Sequence, residues 1–114
     1  MSKYKVGDVV RAPISYFDDK KGYYTSQYRR WVIVKIEGEG DDENITVSCT
    51  GQIHQSNKYK GIIIKRDSVE GKKMNLDIDT FIYCNKTITF LDKEILRKSG
   101  ECPLIEQILK LLEG

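Results

Sequence analysis

The chain has one histidine, His54, and only three cysteines at wide spacing, Cys49, Cys84 and Cys102. Zinc sites want four nitrogen or sulfur donors, gathered as close pairs, so no metal is expected and the chemistry should need no cofactor. Three scattered thiols do not make a disulfide framework; they fit a reducing compartment. No apolar run approaches the roughly 20 residues that span a bilayer. The start, Met1-Ser2-Lys3-Tyr4-Lys5, lacks the apolar stretch of a secretion signal. A cytoplasmic protein with no membrane partner is expected. Prolines number only two in 114 residues, and 32% charged residues stand against 39% hydrophobic. That composition excludes a collagen, a coiled coil and a low-complexity tail. The length suits one hydrophobic core, so residues 1–114 read as a single domain.

The net charge of +2 conceals a segregation along the chain. Residues 1–36 hold eight Lys or Arg against three Asp or Glu, and residues 37–44 hold five acids and no base. Residues 45–75 return to six bases against two acids, and residues 76–114 hold five bases against seven acids. If Glu37-Gly38-Glu39-Gly40-Asp41-Asp42-Glu43 is a loop tip, the two basic segments share a surface that it leaves uncovered. Such a surface is the footprint of a polyanion ligand; an ordinary solvated surface is the alternative that charge alone leaves open.

Val6 to Ala12 is β-branched and closed by Pro13, which predicts a first strand. Residues 15–28 mix charges with four tyrosines and keep neither a two-residue nor a 3.6-residue period. A long loop is expected there, leading into a second strand at Arg30–Ile36. Further strands are predicted at Ile45–Thr50, Gly61–Lys65, Thr80–Cys84 and Thr87–Leu91, with loops at 51–59 and 67–76. Pro103 suits the first turn of a helix, where its missing N–H is no loss. Leu104, Ile105, Ile108, Leu109, Leu111 and Leu112 then form an apolar stripe opposite Glu106, Gln107, Lys110 and Glu113. Six short strands with one amphipathic C-terminal helix predict a mainly β fold. Its sheet should be small and strongly curved or closed into a barrel, because an open sheet of this size leaves long edges unprotected.

Two segments carry candidate chemistry. Arg29-Arg30-Trp31 lies where the expected loop enters the second strand, so a guanidinium is held at a rigid end. Arginine stays protonated and forks onto phosphate oxygens, which suits it to stabilising charge rather than moving protons. Thr50-Gly51-Gln52-Ile53-His54 follows the third strand and offers a hydroxyl, a carboxamide and an imidazole. Histidine is the residue type that ordinarily titrates near neutral pH, so His54 is a candidate proton carrier, with an exposed loop histidine as the plainer alternative. Cys49 falls on the strand face opposite Thr50, which argues against a thiol nucleophile. Tyr16, Tyr23, Tyr24 and Tyr28 suit stacking on unpaired bases. With Lys20, Lys21, Arg29 and Gln52, Tyr16 and Tyr28 make the candidate RNA-binding set.

In their order these motifs resemble the MazF/PemK (Kid-like) toxins of bacterial toxin-antitoxin pairs, over almost the whole chain. Gly7-Asp8-Val9-Val10 is similar to the family's opening GD-hydrophobic strand, and Arg30-Trp31-Val32-Ile33-Val34 to its R-P-V-L-V strand. Ile45 to Ile53 is similar to its third strand and Thr-containing loop; Asp79 to Asp92 is similar to its late D-S-hydrophobic-cysteine and T-I-D segment. The resemblance implies a small SH3-like barrel of the CcdB/MazF kind, a homodimer, and a cognate antitoxin as protein partner. It implies cleavage of single-stranded RNA without metal, the neighbouring 2′-hydroxyl attacking to leave a 2′,3′-cyclic phosphate and a 5′-hydroxyl. Arg30 matches the family's catalytic arginine and Thr50 its catalytic threonine; His54 is an extra candidate for the base.

Two departures bear on activity. Trp31 stands where the family has proline, and Tyr83-Cys84-Asn85 stands where one branch has Arg-Cys-Asp, so that arginine and that carboxylate are both missing. The alternative function is a non-catalytic binding module on the same fold, either a degenerate toxin that still engages its antitoxin or a CcdB-like topoisomerase inhibitor. The Arg30 and Thr50 pair discriminates between the two, since catalysis needs it and docking does not.

Overall fold

The computed structural model describes residues 3–38 and 43–113, leaving aside the side chains of residues 14–18, 26, 27 and 55. Strands β1 (Asp8–Asp18), β2 (Tyr23–Glu37), β3 (Asn44–Gly51), β4 (Gly61–Ile64), β5 (Thr80–Leu91) and β6 (Arg97–Glu101) form one antiparallel sheet. Their order across the sheet is β4-β5-β3-β2-β1-β6, so β4 and β6 are its edges. Helix α1 (Val69–Lys73) joins β4 to β5, and α2 (Ile105–Glu113) follows β6. Among the described residues no helix is long and apolar enough to cross a membrane.

The segment 15–28 is not a loop. β1 and β2 pair without interruption from Val9↔Val32 out to Asp18↔Tyr23, and only residues 19–22 turn, with Gly22 at φ +74°. The described side chains at 19–24, 28 and 29 are exposed. Where the described side chains are exposed there is no reason to alternate apolar and polar residues, and no period was left to read there. Pairing with the inner, apolar half of the same hairpin extends the ladder outward instead.

Thr80–Cys84 and Thr87–Leu91 are likewise not two strands but one, β5. Phe81 and Tyr83 share a core with Ile88 and Phe90, which strict alternation along one strand forbids. A register shift opposite Ser48 and Thr50 of β3 absorbs the offset, with Asn85 and Lys86 exposed at the irregularity. The sixth strand is β6, whose RKSGE sequence has no apolar residue to signal it; it is a strand because it covers the open edge of β1. Residues 67–76, expected as loop, contain α1, capped by Ser68, whose hydroxyl accepts from the Gly71 N–H at 3.0 Å.

Both faces of the sheet are covered. On one, Val10, Trp31, Ile33, Val47, Phe81 and Phe90 bury one another with strand residues alone, apart from Ile95 and the partly buried Tyr4. A sheet can bury its own face only by curling, and this one forms an antiparallel half-barrel open between β4 and β6. On the other face, Val9, Val32, Val34 and Ile82 pack under Met74, after α1, and Ile108 of α2. The stripe read from the sequence is the side of α2 that lies there, with Leu104, Ile105, Leu109, Leu111 and Leu112 partly buried.

Trp31 anchors the curl. It is 1% exposed, its Nε1 donates to the Ala12 carbonyl at 3.0 Å, and its ring meets Phe90 edge-on at 5.4 Å between centroids. Trp31→Ala should cost about 3–5 kcal/mol in urea denaturation. Trp31→Phe, which keeps most of the burial but loses the hydrogen bond and some volume, should cost about 1–2 kcal/mol. A loss below about 1 kcal/mol for the alanine variant would show that the ring is not what holds the curl.

Candidate active site

The β2–β3 ladder ends at Val32↔Ser48, because β3 there passes from β2 toward the first half of β5, pairing Thr50 with Ile82. Two residues beyond the last rung, a side chain takes over from the backbone: Thr50 Oγ1 donates to the Arg30 carbonyl at 2.8 Å. The divergence opens a cavity of about 530 Å³, lined from the strands by Arg11, Tyr28, Arg29, Arg30, Thr50 and Gly51. Gln52, Thr80, Tyr83 and the loop carrying Leu76, Asp77 and Ile78 complete the wall.

Arg30 is the most constrained charge in the cavity. Its side chain is 21% exposed, and its Nη1 pairs with Asp77 Oδ1 at 3.0 Å. Its Nε is buried and has no hydrogen-bond partner among the described residues. A half-satisfied guanidinium of this kind holds donors ready for a second acceptor, and a phosphate oxygen is the acceptor that arginine forks onto best. Asp77 is 72% exposed, so its pairing with Arg30 is open to exchange with a ligand.

The loop that presents Asp77 is tied down from one side. Asp79 Oδ1 accepts from the Arg66 backbone N–H at 2.9 Å, Arg66 Nη1 donates to the Asp77 carbonyl at 3.3 Å, and Lys65 Nζ lies 3.5 Å from Asp79 Oδ2. The Arg66 N–H, seconded by the charges of Lys65 and Arg66, holds the Asp79 carboxyl below its ordinary pKa.

An aromatic cluster borders the cavity. Tyr83 meets Phe81 at 5.0 Å and Tyr59 at 5.2 Å, both edge-on, and Lys86 Nζ stands 5.4 Å from the Tyr83 centroid and 5.9 Å from that of Tyr59. Gly51 permits the approach, since a Cβ there would meet the Tyr83 ring at 3.1 Å.

Of the residues singled out from sequence, Arg30, Thr50, Arg29, Gln52 and Tyr28 all line this one cavity. His54 does not; it sits exposed on the short helical turn Ile53–Asn57 that follows. Lys20 and Lys21 are exposed at the tip of the β1–β2 hairpin and do not line it either. The side chain of Tyr16 is outside the described ones, as are residues 39–42 of the acidic segment. Cys49 is buried in the curled core, away from the Thr50 face, and burial raises its thiol pKa, as it does for Cys84 and Cys102. A thiol held protonated in a core is a poor nucleophile. Among the described residues no three His, Cys, Asp or Glu side chains gather as a metal set.

Sequence reasoning missed Arg11, Asp77, Tyr59 and Lys86. Arg11 was legible only through its pairing with Arg30. Asp77 belongs to a loop whose position depends on contacts with Arg66, thirteen and eleven residues from Asp79 and Asp77.

The Asp79 anchorage has a defined pH dependence. Folding lowers that pKa, so its contribution is fully present above the ordinary carboxylate range and is lost as pH falls through the lowered value. Asp79→Asn should therefore speed hydrogen exchange at the Arg66 amide at pH 7, and the difference from the parent should vanish once acid protonates the parent carboxyl. Equal exchange at pH 7 would show that Asp79 does not hold the loop. Comparison of the chain with protein families, characterised proteins and solved structures finds no match.

Proposed function

We propose that the protein is the toxin component of a toxin-antitoxin pair, a metal-independent endoribonuclease on an SH3-like barrel of the MazF/PemK kind. One observation carries the reading: Arg30 and Thr50, twenty residues apart in sequence, are joined by a hydrogen bond at the rim of one cavity that Arg29, Gln52 and Tyr28 also line. A binding module has no need to bring that particular pair together.

The chemistry follows from the donors. The scissile phosphate sits against the Arg30 guanidinium, whose Nη1 already pairs with the cavity carboxylate Asp77, so that the positive charge stands beside the charge that grows on the phosphoryl oxygens. The 2′-oxygen attacks phosphorus, the bond to the 5′-oxygen breaks, and that oxygen leaves with a proton from solvent. Asp77 is the one carboxylate among the described lining residues, which makes it the group placed to take the 2′-hydroxyl proton. Its pairing with Arg30 puts base and phosphate ligand side by side. Thr50 has a single hydroxyl proton, engaged with the Arg30 carbonyl; it fixes the backbone under the guanidinium, and rotating it would present the same proton to the phosphate. In this reading the protein is cytoplasmic, binds a cognate antitoxin and acts as a homodimer.

Purified protein in EDTA should cut single-stranded RNA to cyclic-phosphate and 5′-hydroxyl ends, and should spare a substrate with one 2′-deoxy nucleotide at the cut site. Arg30→Ala should lose about a hundredfold to a thousandfold in rate with its fold intact. Thr50→Ala should lose less, because a neutral hydrogen bond is weaker than a charged fork. Asp77→Asn and His54→Ala identify the base: only the true one should abolish the alkaline-rising limb of the pH-rate profile. If Arg30→Ala and Thr50→Ala both cut at the parent rate, the assignment is wrong. An inactive parent would favour the non-catalytic module, for which Tyr83 and Asn85 already speak. Sedimentation should give about 26 kDa, twice the 13.2 kDa of one chain; a strict monomer at micromolar concentration would remove the dimer.

A further inference from the structure

The register of the sheet continues beyond Arg30. Arg11 of β1 stands directly opposite Arg30, and Arg97 of β6 stands directly opposite Arg11. Directly opposed residues in an antiparallel pair share a face, so three guanidinium groups form a row across β2, β1 and β6. Neighbouring strands lie about 4.8 Å apart, which gives the row about 10 Å of backbone before the side chains fan out.

Like charges set directly opposite each other destabilise a sheet. Here, among the described residues, one carboxylate, Asp77 on Arg30, relieves them. Among the described residues, the side chains of Arg11 and Arg97 have no hydrogen bond or ion pair, and Arg30 has Asp77 alone. The acids with described side chains on β1 and β6 are committed elsewhere: Asp8 pairs with Lys98 at 3.2 Å, and Glu101 pairs with Lys98 at 2.8 Å and Lys5 at 3.6 Å. A sheet edge that carries uncompensated arginines in register, running out of a cavity, is complementary to a repeating anion.

We propose that Arg30, Arg11 and Arg97 form a phosphate track, on which the backbone of single-stranded nucleic acid runs from the cavity across β1 to the β6 edge. Arg30 holds the phosphate at the reacting position; Arg11 and Arg97 hold the phosphates that follow it. The proposal rests on the nuclease reading for its occupant, while the track itself is sequence-independent, since phosphate contacts position the strand and do not read bases.

An all-deoxy single-stranded oligonucleotide separates the two ideas, because it offers the same phosphates and cannot be cut by 2′-hydroxyl attack. Its binding, followed by fluorescence anisotropy against salt, should have a log–log slope that shrinks by about 0.7 in Arg97→Gln and again in Arg11→Gln. Arg97→Lys, which keeps the charge, should retain the parent slope. Lys35→Gln, five residues along β2 from Arg30, should leave the slope unaltered and so excludes a mere effect of net charge. The thermal midpoint of Arg97→Gln should not fall, because repulsion across the strands is removed. A parent slope in both Arg97→Gln and Arg11→Gln would overturn the track even if the parent cuts RNA. A slope lost in those variants while the parent fails to cut RNA would uphold the track and overturn the nuclease. Displacement of the oligonucleotide by polyglutamate at equal charge concentration would overturn it in favour of an acidic polypeptide.

Discussion

A face that buries Trp31, Phe81 and Phe90 under strand residues, with no helix above them, obliges the sheet to curl, and the cavity follows from that curl. Curling makes β3 part from β2 and lean toward the start of β5. The β2–β3 ladder stops at Val32↔Ser48 while β3 goes on pairing with β5 at Thr50 and Gly51, and the Thr50 hydroxyl closes the gap to the Arg30 carbonyl. The open end of a parted strand pair is a natural place for a ligand, because backbone and side-chain donors there are already ordered but not all are used. Arg30 is such a donor: fixed by its strand, held on one side by Asp77, and unpartnered at Nε.

The electrostatics of the cavity are arranged around that one arginine. A buried or half-buried charge is tolerated when it is paired and hydrogen-bonded, and Asp77 gives Arg30 one such partner. Being largely exposed, that partner costs little to displace. The pair therefore orients the guanidinium while leaving its partner open to exchange. The loop bearing Asp77 is kept near by Asp79 and by Arg66 of the β4–α1 connection.

What was legible in the sequence depended on whether burial wrote a pattern there. The inner halves of the strands bury a face, so Arg30–Ile36 and Ile45–Thr50 were readable almost to their ends, as was the stripe of α2. The outer half of the β1–β2 hairpin exposes its described side chains and left nothing to read, although the register that continues it was set by the inner half. β6 was invisible for a related reason: RKSGE is a strand by virtue of its neighbour, not of its own residues. Arg30 and Thr50 were found through chemistry at strand ends, yet nothing in the linear order indicated the hydrogen bond between them. Asp77 was hidden because a charged loop residue reads as solvated until the loop is seen folded against a strand.

The departures at 31 and 83–85 gain a physical account from the same geometry. A proline after Arg30 would stiffen the strand but could donate nothing, whereas Trp31 fastens the hairpin to itself through its Nε1 and fills the curl with its ring. Tyr83 brings no charge, but it lines the cavity and carries the ring contacts that hold Lys86 and Tyr59 beside it. The positive charge and the carboxylate that Tyr83 and Asn85 do not provide are present in the same cavity from other elements, Arg11 of β1 and Asp77 of the loop before β5. What the cavity has in common with such a site is its charges, brought to one space by separate elements. The strands that supply them can differ so long as the curl brings their ends together.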